Sequence, residues 1–325
     1  MNVTTEPLTH TLEVPGAVLT YDIRGATTGD RAGAAPVLFL IGSPMGASGF
    51  GTLAGHFTDR TVVTYDPRGV ERSLKADPLS RSTPEQHADD LSRVIAAVGR
   101  GPVDLFASSG GAVNALALVA KHPEQVQTLV AHEPPLAAIL PDREFALAAC
   151  RAIHDAYVKG GFGPGMARFI TIVSQKGPID AAFVDGAAPD PAMFGLPIED
   201  DGNRTDPLLA QNMLSSTSYE PDFDALRTAS TRIVIGVGAE SEGELAHRGG
   251  EAAAAGLGTV PITFPSGHAG FLGNEYGQPG DPDGFAARLR EILRPWPSGS
   301  ERRLPALRVD DPAGEVERQA AQEIA

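Results

Sequence analysis

Residues 103–106, Val103-Asp104-Leu105-Phe106, form an apolar run. Ala107-Ser108-Ser109-Gly110-Gly111 follows at once, and then a helix-forming stretch, Ala112-Val113-Asn114-Ala115-Leu116-Ala117-Leu118. A strand that passes into a helix through so few small residues needs a very tight turn. In such a turn, side chains two positions before and two positions after the central serine would collide. Ala107 and Gly111 meet that demand around Ser109, whereas Ser108 fails it because Phe106 would fill the crowded position. The turn raises the Ser109 hydroxyl at the carboxyl edge of a sheet, and the helix N-terminus behind it favours negative charge developing there. Ser109 is therefore a candidate nucleophile. Small residues and serines are common in an Ala/Gly-rich chain, so the surrounding pattern has to decide.

That pattern alternates strand-like and helix-like runs, the signature of a mostly parallel sheet flanked by helices. Residues 10–23 read as two antiparallel strands around Pro15-Gly16. Residues 37–41 are a short apolar run, as a buried parallel strand should be. Further strands are expected at 61–65, 103–106, 126–131, 232–237 and 260–264. Thr83-Pro84-Glu85-Gln86 supplies an N-cap, a first-turn proline and a capping-box partner for a helix carrying Leu91, Val94, Ile95 and Val98. Asp281-Pro282 opens a last amphipathic helix with Phe285, Leu289 and Ile292. From about 135 to 230 the strand signal disappears, and helical patterns at 144–159, 164–174 and 206–214 alternate with Pro- and Gly-rich loops. The expected organisation is a core of residues 1–134 and 231–296, a helical lid at 135–230, and a polar, flexible tail at 297–325.

The 325 residues suffice for one large α/β domain with an insertion, or for two domains. The formal net charge of −15 disfavours nucleic acid and anionic membrane surfaces as partners, and is read as serving solubility. Cys150 is the one cysteine, so no intrachain disulfide can form and no cysteine-based metal cluster is expected. Its Ala-rich surroundings suit an inert core thiol. The first residues lack the basic start and apolar run of a signal peptide, and no segment approaches the ~20 apolar residues of a membrane helix. A cytoplasmic location is the default expectation. Gly-x-Gly-x-x-Gly and Walker patterns are missing, so no nucleotide cofactor is expected, and the scattered Asp and Glu suggest no metal site.

Four segments in order carry a resemblance to the α/β-hydrolase fold over residues from about 10 to 294. The first is the elbow at Ser109. The second is Ile41-Gly42-Ser43-Pro44-Met45-Gly46, which resembles the family's His-Gly-x-Pro oxyanion loop. The third, residues 65–73 (Tyr-Asp-Pro-Arg-Gly-Val-Glu-Arg-Ser), is similar to its Asp-x-Arg-Gly-x-Gly-x-Ser turn. The fourth is Ser266-Gly267-His268-Ala269-Gly270-Phe271, like its Gly-His catalytic loop. Each is weak alone; together, and each on the expected element, they form a strong signal.

A serine hydroxyl needs a base to take its proton, and histidine suits because its pKa lies near neutrality. His268 is the candidate; His56, His122, His132 and His247 have no comparable context. A carboxylate must orient the imidazole and stabilise its cationic form. Two candidates remain. Glu240 follows the 232–237 strand, where the family usually places its acid, and position favours it. Glu133 ends the strand after the elbow helix, from which some members, lactone-cleaving enzymes among them, draw their acid. Glu242 and Glu244 are lesser rivals, expected to be solvated. The resemblance implies an oxyanion hole from the backbone N–H groups of Gly110 and Ser43. Ile41 stands where many relatives have histidine and Glu71 where glycine is usual, while Asp66 and Arg68 read as loop-fixing residues.

A serine at the elbow, where dehalogenases and epoxide hydrolases of this fold carry aspartate, implies acyl chemistry on esters, lactones or related bonds. Phe162, Met166, Phe169, Met193, Phe194, Met213 and Leu214 are candidates to line a pocket under the lid, with core packing the equal alternative. The expected partner is a small-molecule substrate, with no cofactor, and the chain a monomer or homodimer. A slow or non-catalytic small-molecule-binding protein and an acyltransferase are the alternatives, since a fold does not fix its function.

Overall fold

The computed structural model describes residues 6–25 and 35–294, so the tail expected at 297–325 lies outside the described residues. Nine strands form one sheet: β1 (Leu8–Val14), β2 (Ala17–Arg24), β3 (Leu38–Ile41), β4 (Val62–Asp66), β5 (Leu74–Lys75), β6 (Val103–Ser108), β7 (Val126–His132), β8 (Arg232–Gly238) and β9 (Ile262–Phe264). Their order across the sheet is β1-β2-β4-β3-β6-β7-β8-β9, with β5 paired to β2. β1, β2 and β5 run antiparallel to their neighbours, and the remaining pairs are parallel. The helices are α1 (Gly51–Gly55), α2 (Pro84–Val98), α3 (Gly110–Lys121), α4 (Arg143–Gly160), α5 (Phe162–Val173), α6 (Ala181–Val184), α7 (Met213–Thr217), α8 (Phe223–Thr228), α9 (Leu245–Leu257) and α10 (Pro282–Leu293). This is the α/β-hydrolase architecture implied by the four sequence segments.

Alternation along the buried strands builds two cores. Phe39 and Ile41 of β3 join one cluster with Leu91, Val94 and Ile95 of α2 and the whole apolar length of α3. Leu38 and Leu40 point to the other face, with Phe50, Phe57 and the Phe285, Leu289 and Ile292 stripe of α10. Thr83 Oγ1 accepts the Gln86 N–H at 3.2 Å and so caps α2 as its sequence expects. β9 begins two residues later than expected, because Val260 is exposed. The two-residue β5 gives no periodic signal and is missed by pattern alone.

Among the described residues, 135–230 contain helices and no strand, inserted between β7 and β8. They hold a third apolar cluster, in which Cys150, Ile153 and Tyr157 of α4 meet Ile172, Leu209 and Met213. Cys150 is buried and free. Asp206 caps a π turn over Pro207–Asn212, accepting the Leu208 and Leu209 N–H groups at 2.9 and 2.7 Å. No helix among the described residues is long and apolar enough to cross a membrane.

Two fully buried histidines tie this fold to pH. His132 is caged by Phe106, Phe264 and Phe285, and His87 meets Asn212 Oδ1 through Nε2 at 2.7 Å. Burial pushes both imidazoles from 6.5 down to about 4. A depressed folded pKa stabilises the fold fully above 6.5, and that stabilisation is lost as pH falls through about 4. The loss is on the order of 3 kcal/mol per histidine. Denaturant unfolding is expected to show lower stability at pH 4 than at pH 7, with a smaller difference for His132→Phe; an equal difference in that variant contradicts the assignment.

Candidate active site

The elbow forms as the small residues demand. Ser109 sits at φ 57°, ψ −129° between β6 and α3, an uncommon conformation for a residue with a Cβ. Its N–H donates to the carbonyl of His132 at 3.0 Å, which fixes the turn to the end of β7. A Cβ on Gly111 would stand 2.8 Å from the backbone of Gly42, and one on Gly110 would stand 2.6 Å from the Ser43 carbonyl oxygen. The two glycines therefore let the elbow and the loop after β3 lie backbone to backbone.

That second loop is held without a histidine at Ile41. Asp66, at the end of β4, accepts the Ala47 N–H at 2.7 Å through Oδ1 and the Arg72 guanidinium at 2.6 Å through Oδ2. Arg68 makes a bidentate pair with Asp90, both bonds 2.7 Å, in which every atom is buried. Glu71, at φ 45°, accepts from the Ser48 hydroxyl at 2.6 Å, and Tyr276 joins the pair. Ser43 is buried with its hydroxyl unpartnered among the described residues. The first N–H groups of a helix have no intrahelical acceptor, so the Gly110 N–H, at the start of α3 and on the cavity wall, is free of a helical partner.

The register aligns the ends of β6 and β7 and, two residues further on, those of β8 and β9. Ser108 pairs with His132, His132 with Gly236, and Gly238 with Phe264. Ser109 and Glu133 are thus the next residues beyond a paired position on adjacent strands. Glu133 lies at φ 48° and is fully buried, with its N–H donating to Gly236 O at 3.0 Å. Its Oε2 stands 2.6 Å from His268 Nδ1. Its Oε1 accepts from Gly238 N–H at 2.7 Å and from the Ser241 hydroxyl, and His247 Nδ1 stands 3.4 Å away. Burial raises the Glu133 pKa, but the His268 bond, the neighbouring imidazoles and the Ser241 hydroxyl outweigh it, holding the carboxyl down at about 2.

Position in the sequence favoured Glu240, and the geometry points the other way. Glu240 is exposed, and among the described residues its carboxylate meets only the Ser266 hydroxyl, at 3.4 Å. The reason lies at the end of β8. Gly238 donates its N–H to Glu133, and a Cβ there would sit 2.7 Å from both Gly267 and the Ser241 oxygen. The backbone at this strand end is already committed to the Glu133 carboxylate, and the chain carries Glu240 outward. Of the lesser rivals, Glu242 is exposed as expected, whereas Glu244 is half-buried and lines the cavity described next.

A cavity of about 430 Å³ opens over the elbow, lined by Ser43, Ser109, Gly110 and His268 together. That volume suits a small molecule. Its walls are mostly apolar, with Met45, Ile153, Phe169, Ile172 and Met213 among them. Of the seven candidate lid residues, Phe169 and Met213 reach it, Phe162, Met166 and Leu214 pack into the third apolar cluster, and Met193 and Phe194 are exposed. Ser109 Oγ makes no hydrogen bond among the described residues, a looseness usual before substrate binds. His132, Glu133 and His268 offer potential metal-ligand atoms within 4.8 Å of one another. Both Glu133 oxygens are already hydrogen-bonded and His132 is enclosed by phenylalanine rings, so the donor set does not fit a metal ion.

The family model for the alpha/beta hydrolase fold matches residues 35–225. The chain is 30% identical over 272 residues to the uncharacterized hydrolase YraK of Bacillus subtilis (strain 168), covering 80% of this chain and 89% of that protein. The chain belongs to the α/β-hydrolase fold family. Family and relative alike make it a hydrolase of that fold. The backbone resembles a thermophilic esterase from Thermogutta terrifontis, with a TM-score of 0.59 and 20% identity over 89% of this chain and 98% of that one. It also resembles the enol-lactonase from Burkholderia xenovorans LB400, with a TM-score of 0.54 and 17% identity over 87% and 99% of the two chains.

The Glu133–His268 contact has a direct spectroscopic consequence. A proton on Nδ1 shared with a buried carboxylate resonates far downfield of ordinary imidazole protons. This α/β hydrolase is expected to show such a proton NMR signal, retained in Glu240→Gln and lost in Glu133→Gln. Loss in Glu240→Gln instead would contradict the geometry.

Proposed function

We propose that this α/β hydrolase is a serine hydrolase that cleaves the ester, lactone or related acyl bond of a small molecule through an acyl-enzyme. The observation that carries the proposal is the 2.6 Å contact between the buried Glu133 and His268, which lines the cavity together with Ser109 and Gly110. The likeness to an esterase and an enol-lactonase supports the acyl chemistry without fixing the substrate.

With Nδ1 held by Glu133, Nε2 of His268 is the nitrogen left for the Ser109 hydroxyl. Ser109 Oγ attacks the substrate carbonyl carbon as His268 Nε2 takes its proton. The oxyanion that forms is met by the N–H groups of Gly110 and Ser43, aided by the N-terminus of α3. The imidazolium, stabilised by the Glu133 carboxylate, returns the proton to the leaving oxygen, which departs as the alcohol. Water then gives its proton to Nε2 as it attacks the acyl carbon; the intermediate collapses, the bond to Ser109 Oγ breaks as Nε2 returns that proton to it, and the carboxylic acid leaves. A carboxyl held at about 2 stays ionised throughout the neutral range, as this role needs. The inserted helices over the cavity act as the lid that shapes the acyl pocket, and the exposed Glu240 has no part in the step.

Hydrolysis of short p-nitrophenyl esters tests this. Ser109→Ala is expected to lower kcat by about a thousandfold or more, and Glu133→Gln by a comparable factor through the wrong tautomer. Glu240→Gln is expected to stay within about twofold of the wild type. Activity surviving in folded Ser109→Ala, or a larger loss in Glu240→Gln than in Glu133→Gln, would contradict the assignment.

A further inference from the structure

We infer that Glu244 makes this cavity selective for acyl substrates that carry a positive charge, an inference that rests on the serine-hydrolase reading of the same site. Glu244 lines the cavity with Ser109 and His268, and among the described residues no lysine or arginine lines it. Its backbone is used, the N–H donating to Ser241 O at 3.0 Å and the carbonyl accepting from Arg248 N–H at 2.9 Å. Its side chain is not: Glu244 stands at the N-cap of α9 without capping it, and forms no ion pair or hydrogen bond among the described residues. The nearest cation in charge terms, Lys176, is exposed and directs its ammonium to the Glu240 carbonyl, 3.4 Å away.

A carboxylate withdrawn from water without a partner is costly, and the cost is relieved when a cation arrives. Burial raises the pKa of Glu244, and the nearby Glu133 charge raises it further, with Lys176, His268 and His247 acting in the opposite sense. Glu244 gives the cavity wall a negative charge, the Glu133 carboxylate behind His268 adds to it, and the walls around Glu244 are mostly apolar. Such a site favours a small, mostly apolar ester or lactone bearing an ammonium group, and disfavours one bearing a carboxylate. The N-terminus of α9 gives Glu244 some stabilisation of its own, but a purely structural role predicts no dependence on substrate charge.

Three p-nitrophenyl esters of matched chain length test the inference: γ-trimethylammoniobutyrate, its neutral isostere with carbon in place of nitrogen, and the monoester of glutaric acid. The quaternary nitrogen is permanently charged and cannot attack the ester. The wild type is expected to prefer the cationic ester over the neutral one by about tenfold in kcat/KM, and to turn over the glutarate monoester least. In Glu244→Gln the cationic-to-neutral ratio is expected to collapse to about one. An equal ratio in wild type and variant, or a wild type that treats the cationic and neutral esters alike, overturns the inference. If no ester is turned over, the hydrolase reading fails separately. Calorimetric binding of the corresponding cationic and neutral primary amides to wild type and Glu244→Gln then decides the charge preference on its own.

Discussion

The carboxylate of Glu133 ties the site together. It is a buried charge at the end of a central strand, and a buried charge is tolerable only when every lone pair is used. Here the partners come from three directions: the backbone of Gly238 at the end of β8, the Ser241 hydroxyl in the loop beyond it, and the His268 ring from the loop after β9. One side chain therefore ties three strand ends into fixed relation. The same strand end also accepts the Ser109 N–H through His132. Removing the carboxylate would leave an unpaired backbone N–H, an unpaired hydroxyl and a loose imidazole together, which is why its loss is expected to act on chemistry and geometry at once.

The elbow and the imidazole were legible because each is demanded by local chemistry. A tight strand-to-helix turn accepts only small residues around Ser109, and Ala107, Gly110 and Gly111 declare that requirement openly. The acid was not legible in the same way. Glu133 and Glu240 both follow a strand, both lie in plausible loops, and nothing in either segment says which carboxylate will be buried. The difference is tertiary: the close packing of Gly238 against Gly267 and Ser241 leaves the Glu133 carboxylate enclosed and Glu240 outside.

The missing histidine at position 41 illustrates a related point. The loop after β3 does not need it, because Asp66 reaches across from β4 to hold Ala47 while Arg72 holds Asp66. Asp66 and Arg68 read as loop-fixing residues in the sequence, yet the identity of their side-chain partners, Arg72 and Asp90, emerges only in three dimensions. Glu244 is the opposite case. Its neighbours in sequence suggest a solvated loop charge, but at the turn into α9 it is half-buried and lines the cavity. The lid shows the same limit, since amphipathic pattern finds its helices but does not separate Phe169 and Met213, which reach the cavity, from Met166 and Leu214, which do not.

The central claim is that Ser109 is a nucleophile activated through His268 by Glu133. Incubation with a fluorophosphonate, followed by intact-mass and peptide mass spectrometry, tests it without knowledge of the natural substrate. A single covalent adduct on the peptide bearing Ser109 is expected, formed much more slowly in Glu133→Gln. A folded wild type that takes no adduct, or takes it at another residue, would contradict it.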